Sequence, residues 1–198
     1  MIELEVEARI RLKTSQEYKE LKEEKDMFKR RMLFLAFFTE KLKEKGVDAI
    51  LVGGEAIDLY TAGTFASADL DLVVNNKAMT EKFLNRFGFG KKDAIWFNTD
   101  LNIVVQVIPG PYSGNPSKIR KFKIRKYELK VAAPEDLIAN RLYSAKFWKS
   151  NIQTDIEQSV TLLRQFSDSI DNAYLDSIAK RDNIEDALAE ARQLASNV

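Results

Sequence analysis

The feature that most constrains this chain is a short apolar run closing on two glycines, Ala49-Ile50-Leu51-Val52-Gly53-Gly54, followed at close range by Asp69-Leu70-Asp71-Leu72-Val73-Val74. The first run is continuous and apolar, as expected of a buried strand. The segment after it, Glu55-Ala56-Ile57-Asp58-Leu59-Tyr60, has helical spacing and stops at Gly63. A glycine pair at a strand-to-helix turn exposes backbone N–H groups at a helix N-terminus, with no side chain in the way of a phosphate. The second run alternates strictly, so Asp69 and Asp71 share one face of a strand, about 7 Å apart along the backbone. Two carboxylates so placed repel each other, and a divalent cation relieves that repulsion.

Composition narrows the chemistry further. The 198 residues contain no cysteine and no histidine. Disulfides, thiolate metal sites, imidazole acid–base catalysis and histidine-ligated zinc are therefore excluded. Carboxylates, Lys/Arg, hydroxyls and a hard cation taking oxygen ligands remain, which points to Mg2+ or Mn2+. With 31 Lys+Arg against 30 Asp+Glu, the net charge of +1 gives no general argument for nucleic-acid or membrane binding. No stretch of about 18 apolar residues occurs, and the N-terminus opens with alternating acidic and apolar residues, so the chain is read as soluble, unexported and cytoplasmic.

Three segments are expected: 1–45, a charged N-terminal helical segment; 46–131, a core of strands and helices; and 132–198, a helical C-terminal region. From about Ser15 to Lys45, Leu21, Met27, Phe28, Leu33, Phe34, Phe37, Phe38 and Leu42 recur near helical spacing, with one interruption allowed. The polar first half of that helix either projects into solvent or lies on a partner, a route to a homo-oligomer. Lys41, Lys43, Lys45 and Gly46 mark its end. Thr64 to Ala68 reads as a small-residue loop, Thr80 to Phe87 as a helix stopped by Gly88, and Ala94 to Phe97 and Leu101 to Ile108 as strands. Lys118 to Val131 reads as one or two edge strands, and Pro134-Glu135-Asp136 starts a helix with proline and acids in its first turn. Breaks between the last helices are expected at Ser167-Asp168 and Ala179 to Asp182.

The run Leu51 to Gly63, continuing through Ser67-Ala68-Asp69-Leu70-Asp71-Leu72-Val73-Val74, resembles the signature of the nucleotidyltransferase (DNA polymerase beta-like) superfamily, in particular its minimal prokaryotic members. Pro134-Glu135-Asp136-Leu137-Ile138-Ala139-Asn140-Arg141-Leu142, followed by Lys146-Phe147-Trp148-Lys149 and Asp155, resembles the C-terminal helices of the AbiEii toxin-like branch. The resemblance implies an α+β fold, a small mixed sheet with flanking helices and a helical C-terminal region. It also implies that Gly53, Gly54 and Ser67 contact phosphate and that Asp69 and Asp71 bind magnesium. The implied activity is transfer of a nucleoside monophosphate from a nucleoside triphosphate to a hydroxyl on RNA, protein or a small molecule. The implied setting is a toxin–antitoxin or phage-defence system with an antitoxin-like partner.

Two departures stand out. The superfamily usually supplies a third carboxylate from a neighbouring strand, and the matching position in Asn102 to Ile108 is Gln106, whose amide offers an oxygen but takes no proton. Asp93 and Asp100 are no better placed. Glu55 directly follows the glycines, where its charge would suit the helix N-terminus but repel a bound phosphate. These departures leave a second reading open, a catalytically inactive nucleotidyltransferase-like module that binds a nucleotide, RNA or protein.

Between Lys118 and Lys130 stand seven Lys/Arg against one acid, Glu128. This is either an electrostatic strip for RNA or tRNA, with Phe122 and Tyr127 as stacking groups, or an edge strand protected by lysines, the latter slightly favoured. Arg141 is a substrate-binding candidate on the helix after Pro134. Trp148 is expected to pack where that helix meets the next, and Phe34, Phe37 and Phe38 to form core. Asp168 and Asp171 read as caps and solvated charges, with Asp155 set apart by its place in the branch-like run.

Overall fold

A computed structural model describes residues 15–67 and 69–197. Ala68 and residues 1–14, with the readings placed on them, lie outside the described residues. The fold is α+β, and the chain divides into two compact units. The first holds the described residues up to Glu55, together with Ala66–Ser113 and Arg120–Val131; the second holds Ala56–Phe65, Gly114–Ile119 and the chain from Ala132 onward.

In the first unit, the expected helical stretch forms as α1 (Gln16–Glu23) and α2 (Met27–Lys43), with its one interruption at Glu24 to Asp26. Each start is capped: Ser15 accepts from the Tyr18 N–H and Asp26 from the Lys29 N–H. The polar α1 lies on its own chain. Tyr18 and Leu21 are buried, Arg125 pairs with Glu20, and the Tyr127 hydroxyl donates to Glu17.

Seven strands form one mixed sheet: β1 (Ala49–Val52), β2 (Asp69–Val74), β3 (Gly90–Lys92), β4 (Ile95–Asn98), β5 (Ile103–Pro109), β6 (Arg120–Ile124) and β7 (Tyr127–Val131), in the order β3-β4-β5-β2-β1-β7-β6. β1 runs antiparallel to β2 and parallel to β7, while β2 and β5 run parallel. The expected edge character of 118–131 therefore holds for β6 alone, since β7 is interior between β6 and β1. β3 was not visible in the sequence, because Gly90-Lys91-Lys92 has no apolar alternation. The helix expected from Thr80 begins earlier, as α4 (Lys77–Arg86; α3 follows below), because Asn76 caps it by accepting from the Met79 N–H.

The inner face of the sheet is closed by aromatics. Phe34, Phe38 and Phe87 are fully buried, with Phe34 and Phe38 stacked at 5.2 Å and Phe38 edge-on to Phe87 at 5.5 Å. Burial of each such ring contributes about 1.5–3 kcal/mol.

In the second unit, α5 (Pro134–Tyr143), α6 (Ile152–Gln165), α7 (Asn172–Asp182) and α8 (Glu185–Ser196) pack around Leu137, Ile138, Leu142, Leu162, Leu175, Ile178 and Leu188. The breaks fall at Phe166 to Asp171 and at Asn183-Ile184. The second lies just beyond the expected stretch, where Asn183 takes the left-handed conformation at φ 54°. Between α5 and α6, Ser144–Trp148 winds as a π-turn that ends at Lys149 in the left-handed region. That turn carries Trp148 outward, 67% exposed and edge-on to Tyr143 at 6.0 Å. The packing role expected of Trp148 is thus corrected. No helix among the described residues is long and apolar enough to cross a membrane.

Candidate active site

β1 ends at Val52, whose antiparallel partner is Asp71. The chain then turns at once into α3 (Gly53–Tyr60). Gly53 makes the turn with φ +70°, a conformation that favours glycine. It also lies directly against the aspartate. A Cβ built on Gly53 would stand 2.1 Å from the Asp71 Oδ2 and 3.0 Å from its Cγ. The glycine turn and the aspartate pair, separate in sequence, are therefore one contact. The first N–H groups of α3 have no partner inside the helix, and the helix end that bears them lies against the Asp71 carboxylate.

Asp69 and Asp71 project from one face of β2, Asp69 exposed and Asp71 half-buried, while Leu70 between them and Leu72 after them are fully buried on the other. The parallel register with β5 places Val104 beside Asp69 and Gln106 beside Asp71. The residue at the place of a third carboxylate is thus Gln106, exposed on the same face. Asp93 and Asp100 lie in the turns flanking β4, and no group of three or more acids suited to a metal occurs among the described residues. Two carboxylates and an amide oxygen form an all-oxygen set, which suits Mg2+ or Mn2+ better than a softer metal. Ser67 sits half-buried two residues before β2.

Glu55 behaves otherwise than its position in the sequence predicts. Its side chain is fully buried in the first turn of α3, and its Oε1 accepts from the Arg31 Nε at 2.8 Å. The guanidinium meets the charge that was expected to repel a phosphate. Arg31 was not singled out in the sequence. Its signal was there, since it precedes Phe34, Leu35 and Phe38 at spacings of three, four and seven, which puts a charge on the buried stripe of α2.

Five of the seven cations in 118–130 are paired. Lys118 meets Asp171 at 2.6 Å, Lys121 meets Glu128 at 3.3 Å, Lys130 meets Asp48 at 2.7 Å, Lys126 reaches Glu17 at 4.0 Å, and Arg125 bonds Glu20. Much of the strip's charge is thus answered within its own units. In the second unit, Arg141 pairs with the buried Asp155 at 3.5 Å, and Asp155 also accepts from the Ser144 hydroxyl at 2.7 Å. The Arg141 Nε is buried and meets no acceptor among the described residues. Asp171 caps α7 by accepting from the Tyr174 N–H at 2.9 Å.

Comparison with solved structures bears on the fold. A crystal structure of an antigenic nucleotidyltransferase-like protein from Paracoccidioides brasiliensis matches with a TM-score of 0.55 at 16% identity, over 84% of this chain and 92% of that one. The chain has a nucleotidyltransferase-like fold. The solution structure of the antibiotic-resistance factor ANT(2'')-Ia is also similar, at 13% identity and a TM-score of 0.49, over 79% of this chain and 92% of that one. No family model and no curated protein matches the chain.

Proposed function

We propose that this protein is a magnesium-dependent nucleotidyltransferase, moving a nucleoside monophosphate from a nucleoside triphosphate to a hydroxyl acceptor. The observation that carries the reading is the contact of the Gly53 turn with Asp71, on the strand face that also presents Asp69. This juxtaposition supports a reading in which backbone N–H groups for a phosphate stand beside two carboxylates for a cation. The similarity of fold to a nucleotidyltransferase-like protein supports the reaction class. Asp69 and Asp71 would hold the cation, with the Gln106 amide oxygen available to it. Bound there, the cation would neutralise triphosphate charge and polarise the phosphoryl group under attack.

The chain's own groups do the rest. Backbone N–H groups at Gly53 and Gly54 orient the outer phosphates, and Arg31 keeps the Glu55 charge from opposing them. The proposal extends to Ser67 and Arg141 as substrate contacts by resemblance, each tested by the KM of its alanine variant for the nucleoside triphosphate. The same resemblance supports a toxin–antitoxin setting with a protein partner.

The test is incubation with Mg2+, each α-labelled nucleoside triphosphate, and total RNA or protein. Metal-dependent transfer that disappears in Asp69→Ala supports the enzyme. Gln106 favours a second reading, a binding module without turnover. Intact nucleotide binding with no transfer to any acceptor would establish that reading.

A further inference from the structure

Around the π-turn Ser144–Trp148 the second unit presents large apolar side chains to solvent. Phe147, Trp148 and Ile152 are 47%, 67% and 44% exposed, and Tyr143 is exposed with them. The three rings form one cluster, Tyr143 lying 4.6 Å from Phe147 and 6.0 Å from Trp148. Apolar side chains scattered singly over a surface are ordinary, but rings gathered at one place mark an interaction site. Trp148 is the most exposed of them, and its indole N–H is a donor that needs an acceptor once buried.

The same stretch of chain walls a pocket. Leu142 and Ala145, with Ile152 and Ile156 from α6 and Ala187 and Ala191 from α8, line a space of about 260 Å3, and the Glu190 side chain completes the lining. About 150 Å3 of apolar cavity holds a benzene ring, so this pocket admits the larger indole of a tryptophan. Trp148 does not belong to the lining, so the chain does not fill the pocket with its own ring.

Charge divides between the ring and the pocket. Lys146 is engaged locally, bonding Asp186 at 2.6 Å and the Asn183 carbonyl at 2.7 Å. Lys149, which follows Trp148, and Glu190, in the pocket, make no ion pair among the described residues. The exposed ring thus stands next to an unanswered positive charge, and the pocket holds an unanswered negative one. A lipid surface calls for cations around the rings, whereas the neighbouring α8 presents Asp186 and Glu190. A surface that carries a ring and a ring-sized pocket side by side, with opposite charges, is complementary to itself through a two-fold rotation.

We infer that a second copy of this chain covers this surface. Trp148 of each protomer enters the pocket of the other, its indole N–H donates to the partner's Glu190, and Lys149 pairs with that same carboxylate. The contact is isologous, so the ring, the pocket and the ion pair each occur twice. It is independent of the nucleotidyl-transfer reading and holds whether or not the chain turns over a nucleotide.

The test is sedimentation equilibrium of the full chain from micromolar to submillimolar concentration, where a monomer–dimer equilibrium is expected. Buried tryptophans dominate such contacts, and the ring is lost twice per dimer, so Trp148→Ala should weaken the dimer at least tenfold. Lys149→Glu and Glu190→Lys should each weaken it as well, because each brings like charges together. An equimolar mixture of these two charge variants should regain the dimer as a heterodimer, since both cross contacts then join opposite charges. Melting temperatures of dilute variants, within about 2 °C of the parent chain, show that each is folded. A chain that stays monomeric at every concentration overturns the inference, whether the surface then proves to bind an unlike protein or nothing. So does a dimer that Trp148→Ala leaves intact, or a mixture of the charge variants that dimerises no better than either alone.

Discussion

Replacing Gly53 by alanine, with Gly46→Ala as its reference, separates backbone strain from loss of the site. Both glycines hold the same left-handed conformation, φ +70° and +71°. A methyl at Gly46 meets nothing within 4 Å, whereas one at Gly53 falls 2.1 Å from the Asp71 Oδ2. Gly46→Ala therefore bears only the conformational penalty, about 1–2 kcal/mol. Gly53→Ala bears the same penalty and must also push the carboxylate away by close to 1 Å, since a Cβ rarely comes nearer than 3.0 Å. The obstacle is a side chain, so Asp71 yields by leaving its rotamer, at a further cost of about 0.5–1.5 kcal/mol. The two variants should thus differ by only about 1–6 °C in melting temperature. Metal binding should separate them far more, because ligand distances tolerate only about 0.2 Å of error. Titration with Mn2+ followed by electron paramagnetic resonance should show at least a tenfold loss for Gly53→Ala and none for Gly46→Ala. Equal Mn2+ affinity in the two variants would refute the argument that Gly53 exists to make room for Asp71.

Other consequences follow from the same geometry. Arg31→Met removes the guanidinium from the buried Glu55 charge and should cost about 3–5 kcal/mol in denaturant unfolding, most of it recovered in the double variant with Glu55→Gln; equal losses in the two would deny the pairing. Trp148→Ala should cost under about 1 kcal/mol, since the ring is largely exposed and stands edge-on to Tyr143, and a larger loss would restore its role in packing. In the second unit, hydrogen bonds from Lys118, Arg181 and Lys146 hold Asp171, Asp182 and Asp186 below the ordinary carboxylate range. Their support is complete above the unfolded value near pH 4 and drains away as pH falls through the lowered values. Melting temperatures taken between pH 6 and 2 should show this fall, and Asp171→Asn should flatten it.

What the sequence disclosed depended on how local the cause was. The apolar Ala49 to Val52 run and the alternating Asp69 to Val74 run carry their own periodicity, and both strands lie where that periodicity puts them. The fully buried Phe34 and Phe38 were legible as core for the same reason. β3 escaped because three residues paired to a neighbour need no pattern of their own. Glu55 was placed correctly at the start of a helix, but its direction depends on Arg31, 24 residues earlier, and a local pattern does not show such a partner. Trp148 was misjudged because a π-turn shifts the face on which each side chain emerges, and composition carries no mark of it.

The central claim is that Asp69 and Asp71 together hold a divalent cation engaged with a nucleoside triphosphate. The direct measurement is Mn2+ affinity by electron paramagnetic resonance, with and without a triphosphate that resists cleavage between its α and β phosphorus atoms. The account predicts one Mn2+ per chain, bound at least tenfold more tightly with the triphosphate present, and lost in both Asp69→Asn and Asp71→Asn. Mn2+ binding that ignores the triphosphate, or that survives in both variants, would contradict it.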